Sequence, residues 1–127
     1  NTPALATLIM FDDQLKWMNS NGGLPFAAGR SAESARTLYS WAESREFATP
    51  FVKDLAQRSN VVGTIDIDGV DANDICRVLR ANGVVDTDSY RKLGRNQLRI
   101  GMFPAIDPDD VARLTRCIDA VVEHLKG

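Results

Sequence analysis

The sequence predicts an α+β domain in which two N-terminal helices lead into a β-α-β-β-α unit, a small sheet with helices on one face. Three observations carry this. Leu5, Leu8, Ile9, Phe11, Leu15, Trp17 and Met18 recur at broadly helical spacing, and Ala27, Ala28, Ala35, Leu38, Tyr39 and Ala42 form a second helical stripe. Residues 60–67, NVVGTIDI, are β-branched and alternating, which is a strand pattern. Asp107-Pro108-Asp109-Asp110 supplies an N-cap, a first-turn proline and acids at the positive dipole end, ahead of an amphipathic stripe from Val111 to Leu125.

With 127 residues and 44% hydrophobic content, residues 1–127 have the size and core material of one ordinary domain. A helical pair is expected over 1–46 and an α/β part over 60–127. A net charge of −2 gives no general footprint for nucleic acid. No apolar run approaches the roughly 20 residues of a membrane span, and no signal-peptide pattern is visible. Partners are therefore expected among small molecules and protein surfaces, not nucleic acid or membrane. Cys76 and Cys117 fall in predicted helices and read as free, mostly buried thiols in a reducing cytoplasm, with one disulfide as the alternative. The first residue is Asn1, not Met, so the chain reads as a processed product or a piece of something longer.

Taken in order, Thr2 suits the N-cap and Pro3 the first position of a helix that Gly22-Gly23 stops. The apolar surface of that helix is too wide for one packing face, which predicts a partner beyond its own domain. Its N-terminus is also a natural anion site, although capping alone accounts for Asn1-Thr2 on residue chemistry. The second helix is expected from Phe26 to Arg45, its small residues allowing close approach to the first and Trp41 lying in the core. Thr49-Pro50 interrupts regular structure, and residues 54–57 suit one helical turn. In 60–67, Val61, Gly63, Ile65 and Ile67 share a face. Asp66, Asp68 and Asp71 resemble the start of a calcium loop, but the further ligands and closing Glu are missing, so they read as a solvated turn. Asp71 caps a helix with Ile75, Val78 and Leu79 inward, ended by Asn82-Gly83. Val84-Val85 reads as a short strand and Gln97 to Phe103 as the next. His124, the single histidine, lacks metal-ligand partners at suitable spacing.

The chemistry concentrates in Tyr90–Pro104, YRKLGRNQLRIGMFP. Arg91, Lys92, Arg95 and Arg99 fall within nine residues, directly before the apolar run Ile100-Gly101-Met102-Phe103. That run reads as a core strand with Arg99 at its mouth. A guanidinium fork held in one place suits a carboxylate, which it binds through two oxygens. On residue chemistry alone, an ion pair with one of the Asp residues is the other reading.

Three stretches together resemble the C-terminal part of the phosphoserine aminotransferase family in its actinobacterial form. They are Asn1-Thr2-Pro3 opening a long helix that ends in Asn21-Gly22-Gly23-Leu24; Arg36-Thr37-Leu38-Tyr39 followed by residues 51–62 with Arg58-Ser59; and Ala81-Asn82-Gly83-Val84-Val85-Asp86 leading into residues 90–100. The resemblance covers nearly the whole chain. It implies the C-terminal small domain of a fold-type I, pyridoxal-phosphate-dependent aminotransferase. Such enzymes are cytoplasmic homodimers with active sites at the subunit interface, exchanging an amino group between glutamate and 3-phosphohydroxypyruvate on the way to serine. The resemblance also implies that Arg99 holds the substrate α-carboxylate. Asn1 and Thr2 would contact the cofactor phosphate of the neighbouring subunit, which reverses the capping reading.

Many family members grip the substrate phosphate with a Gly-His-Arg, where this chain has Arg91-Lys92-Leu93-Gly94-Arg95. Arg95 or Lys92 is then the candidate for that role. None of the lysines, Lys16, Lys53, Lys92 and Lys126, stands in the family's Schiff-base context. The chain is thus expected to lack its N-terminal cofactor domain, to supply substrate and cofactor-phosphate contacts, and to be inactive alone. Two alternatives stand beside this: a free-standing small-molecule-binding or regulatory domain, and a neighbouring fold-type I enzyme such as an alanine–glyoxylate transaminase or a desulfurase.

Overall fold

The computed structural model describes residues 2–127. It contains α1 (Leu5–Ser20), α2 (Gly23–Glu43), β1 (Ala48–Pro50), β2 (Val62–Ile67), α3 (Ala72–Ala81), β3 (Gln97–Gly101) and α4 (Pro108–Lys126). Single 3-10 turns lie at Leu55–Gln57 and Arg91–Leu93. The class is the expected α+β, built on an antiparallel sheet of order β1-β2-β3. The register sets Ile65 against Leu98, Gly63 against Ile100, Thr64 against Arg99 and Asp66 against Gln97. Since side chains alternate along a strand, Gly63, Ile65, Ile67, Leu98 and Ile100 share one face. That face is buried with Leu38 of α2, Ile75 and Leu79 of α3, and Val111, Ile118 and Val122 of α4 in one core. The opposite face carries Thr49, Thr64, Asp66, Gln97 and Arg99. One side of the sheet is apolar and the other polar, as antiparallel sheets permit.

Gly63 sets how closely helix and sheet approach. A Cβ built there would stand 2.4 Å from Leu38 Cδ2, so α2 can reach β2 only over a residue without a side chain.

Several local expectations change. Thr49-Pro50 does not interrupt the sheet but forms β1, at its outer edge, where a proline's missing N–H removes no interior bond; Phe51 N–H extends the pairing to Thr64 O at 3.0 Å. The strand expected at Val84-Val85 does not form. Val84 N–H donates to Leu79 O (3.0 Å) to finish α3, and Asp86, at φ 63°, turns the chain away. Three strands therefore remain, with β1 in place of 84–85 and the order α-α-β-β-α-β-α. β3 stops at Gly101, and Phe103 is half exposed.

The start of α1 also differs. The helix begins at Leu5, whose N–H is taken by Pro3 O at 2.9 Å, and no side chain caps it. Thr2 is thus not the N-cap and Pro3 is not helical, because a local turn satisfies the orphan N–H instead. Asn1 lies outside the described residues. α2 begins three residues early, at Gly23, since Gly22 at φ 115° reverses the chain within one residue. Ala28 is exposed. The buried side of α2 packs on α4, β1 and β2, and the helix also meets α1. Trp41 is in the core, its Nε1–H donating to Asp119 Oδ1 at 2.9 Å.

α1 buries none of its residues; Leu5, Leu8, Ile9, Met10 and Phe11 are all more than half exposed. It meets α2 through an edge-to-face contact of Trp17 with Phe26, 5.6 Å between ring centres. The apolar surplus seen in the sequence is therefore left open. Both cysteines are free, Cys76 buried as expected and Cys117 exposed. The inner line of α4 is Val111, Thr115, Ile118 and Val122, and position 117 falls one step off that period. Among the described residues no helix is long and apolar enough to cross a membrane.

Candidate functional site

The polar face of the sheet is where the predicted anion residues can be placed. Leu98 and Ile100 are buried on the core side, so alternation turns Arg99 to the opposite, exposed face. Arg99 is therefore mid-strand in β3 rather than at its mouth. Its backbone is fixed on both sides: β2 pairs with it at Thr64, and its N–H donates to Thr87 O at 3.0 Å. Among the described residues its guanidinium makes no ion pair, whereas Arg30, Arg45, Arg58, Arg77, Arg80, Arg95 and Arg113 each have a carboxylate within 4 Å. The surface-pair reading of Arg99 thus has no partner here.

Two clefts meet at Arg99. One, about 940 Å3, runs along the free edge of β3 and is lined largely by Val62, Val84, Val85, Phe103, Leu114 and Cys117. The other, about 650 Å3, is polar and lined by Asn73, Arg80, Asp88, Ser89, Tyr90 and Lys92, with Asp86 at its margin. Arg80 is paired with Asp88 at 2.9 Å. Lys92 and Arg99 are then the cations of the polar cleft without an acid partner among the described residues. A guanidinium carried on a paired strand beside a flexible ammonium can hold a carboxylate and a second oxyanion at once.

Arg95 is placed differently. Its Nε donates to Asp66 Oδ1 at 3.1 Å and its Nη2 to Oδ2 at 3.0 Å, with the guanidinium carbon 5.1 Å from the centre of the Phe51 ring. It lines a third cleft, about 630 Å3, with Asp71, Gly94 and Asn96; this cleft shares Asn73 and Ser89 with the polar one. The fold thus brings Lys92 and Arg99 together and sets Arg95 in the adjoining space. Asp66 belongs to β2 and to this pair, not to a solvated turn. Asp71, the third of those acids, caps α3 by accepting from Asn73 N–H at 2.8 Å. Partial burial pushes the Asp66 carboxyl up. The hydrogen bonds from Arg95 and Gln97 and the charges of Arg95 and Lys53 outweigh that, so its pKa lies below the usual carboxylate value.

Sequence reasoning missed Arg80, Ser89, Asp66 and Gln97 as neighbours of the site. Alternation in 62–67 already put Thr64 and Asp66 on the face opposite Ile65. What the sequence did not carry was the register that sets Arg99 and Gln97 across from them. His124 is exposed in the last turn of α4.

Thr2 is exposed ahead of α1 and lines none of these three clefts.

No family model matches the chain. It is 62% identical over 126 residues to the phosphoserine aminotransferase of Rhodococcus jostii and 61% identical to that of Rhodococcus opacus, each match covering 98% of this chain and 34% of the relative. The chain spans about a third of the length of the curated relatives it matches. In fold it is similar to the phosphoserine aminotransferase of Bacillus circulans subsp. alkalophilus, with a TM-score of 0.86 at 21% identity over 98% of this chain and 34% of that one. A cysteine desulfurase of Escherichia coli aligns over the same share of this chain with a TM-score of 0.70 at 22% identity, which is a likeness of fold alone. Over nearly its whole length, then, this chain is in sequence and in fold a relative of a one-third segment of the phosphoserine aminotransferases.

Proposed function

We propose that the chain is the C-terminal small domain of a phosphoserine aminotransferase that exchanges an amino group between glutamate and 3-phosphohydroxypyruvate. The observation that carries this is Arg99: carried by a paired strand on the polar face of the sheet, without an acid partner among the described residues, at the junction of two clefts. In this reading Arg99 binds the α-carboxylate that donor and acceptor share, and so orients the α-carbon. Lys92 or Arg95, close by, takes the second anion, which is the phosphate of one substrate and the side-chain carboxylate of the other. Pyridoxal phosphate, bound by the remaining two thirds of the protein, supplies the electron sink.

The exposed apolar surface of α1 supports a missing neighbour, because contiguous apolar surface of that kind marks a protein contact. We assign that surface to the N-terminal cofactor domain and to the partner subunit of a cytoplasmic homodimer. Asn1 and Thr2 would there reach the cofactor phosphate of the neighbouring subunit.

Comparing acceptors in the full-length protein tests the reading. With glutamate as donor, kcat/KM for 3-phosphohydroxypyruvate is expected to exceed that for pyruvate or glyoxylate by about 100-fold or more, since cations placed for a second anion are left unpaired by acceptors that lack one. Equal or better turnover of glyoxylate or pyruvate would overturn the assignment in favour of a neighbouring transaminase.

A further inference from the structure

We propose that Asp66, itself held by the buried Gln97, is a positioning residue that fixes Arg95 as the contact for the substrate's second anion. This rests on the aminotransferase reading above and adds the element that would make Arg95 a built part of the site.

The geometry of the pair comes first. Asp66 takes Nε–H and one N–H of Nη2, the side-on edge of the guanidinium. A guanidinium has five N–H groups, so Nη1 and the outer N–H of Nη2 remain for a ligand oxyanion. The guanidinium carbon also lies over the Phe51 ring, 5.1 Å from its centre, a contact that favours this rotamer. Arg95 itself belongs to an exposed loop and would otherwise be free to sample many rotamers.

The support continues inward. Gln97 is 1% exposed and stands directly across from Asp66 in the sheet, donating Nε2–H to Asp66 Oδ1 at 2.7 Å. A buried amide thus fixes a half-buried carboxylate, and the carboxylate fixes an exposed guanidinium. The anchor also stands at a useful place. Asp66 and Thr64 are two residues apart on the polar face of β2, about 7 Å along the strand, and Thr64 lies across from Arg99. Arg99 and Arg95 are therefore set against neighbouring polar-face positions of β2, and the cleft lined by Arg95 adjoins the polar cleft of Arg99 through Asn73 and Ser89.

The Asp66 charge opposes an incoming anion, but its own charge is already matched by Arg95. What it contributes is order: an arginine already oriented loses less side-chain freedom on binding. Asp66→Asn keeps the shape and loses the charge-assisted grip. It should weaken binding of the second anion and leave the common carboxylate contact in place.

The test uses the full-length protein with Asp66→Asn, Arg95→Ala and the double variant, reading KM and kcat for 3-phosphohydroxypyruvate and glutamate separately. Asp66→Asn is expected to raise KM for the phosphorylated acceptor by about 5- to 10-fold and to change kcat by less than about 3-fold. On the Arg95→Ala background it should add less than about 2-fold, because both changes remove one and the same contact. Asp66→Glu should recover part of the loss. Phe51→Leu, which loosens Arg95 without touching Asp66, should move KM in the same direction, and it keeps the test open if Asp66→Asn folds poorly. An unchanged KM in a folded Asp66→Asn, or full additivity with Arg95→Ala, would overturn the positioning role while leaving the aminotransferase reading intact. No turnover of the phosphorylated acceptor by the unaltered protein would overturn both.

Discussion

Arg99→Ala in the full-length protein is expected to lower kcat/KM by about 10- to 100-fold for glutamate and for 3-phosphohydroxypyruvate alike, the equivalent of losing one charge-assisted, two-point contact worth roughly 1.5–3 kcal/mol. Both substrates present the same carboxylate, so both should lose. The neighbouring cations do not compensate. Lys92 is a point charge on a flexible stem, and Arg95 lines the adjoining cleft, where the second anion is assigned to it. Nor should folding confuse the result, since Arg99 is exposed and β3 is anchored by Leu98 and Ile100, which are 0% and 2% exposed. Arg99→Lys should restore the charge but not the fork, and so recover only part of the rate. Initial rates with each substrate varied in turn measure this, and unchanged values would make Arg99 an ordinary surface cation.

Leu38→Ala is the substitution expected to cost most in stability, about 2–5 kcal/mol, because a fully buried leucine leaves a cavity that its surroundings only partly fill. Leu38 lies over Gly63 at the point where α2 meets β2, the strand that carries Thr64 and Asp66. The reverse change, Gly63→Ala, places a methyl into Leu38 and should cost about 1–3 kcal/mol by overpacking. The pair is coupled. In the double variant, the methyl added on β2 occupies part of the space that the Leu38 side chain vacates, so the loss should be smaller than the sum of the two. Urea denaturation of the full-length protein and its three variants provides the comparison. Strict additivity would mean that helix and strand are not in the contact described.

Elements with strong local signals were legible in the sequence. β2 announced itself by β-branched alternation, and α3 and α4 by Asp71 and Asp107, which accept backbone N–H bonds from Asn73 and Asp109 as caps should. The errors fall where distant parts of the fold decide. Pro50 looks like a breaker until its strand is known to lie at the sheet edge. Val84-Val85 has strand composition, yet the turn at Asp86 and the bond closing α3 claim its backbone. Of the candidate site, the strand that carries Arg99 was legible, and with buried Leu98 and Ile100 on either side the arginine has only the opposite face to occupy, although in mid-strand rather than at the mouth. Which of Arg80, Lys92 and Arg95 are ion-paired was not. It depends on which acids reach which guanidinium, and that follows from the register of β2 with β3 and from the path of residues 86–93.

The most direct measurement of the central claim is the position of the substrate carboxylate itself. The structure of the full-length protein with O-phosphoserine bound should show the α-carboxylate on the polar face of the sheet, with both oxygens about 2.7–2.9 Å from the guanidinium nitrogens of Arg99. A carboxylate held elsewhere, with Arg99 closed onto Asp86 or Asp88, would contradict the account.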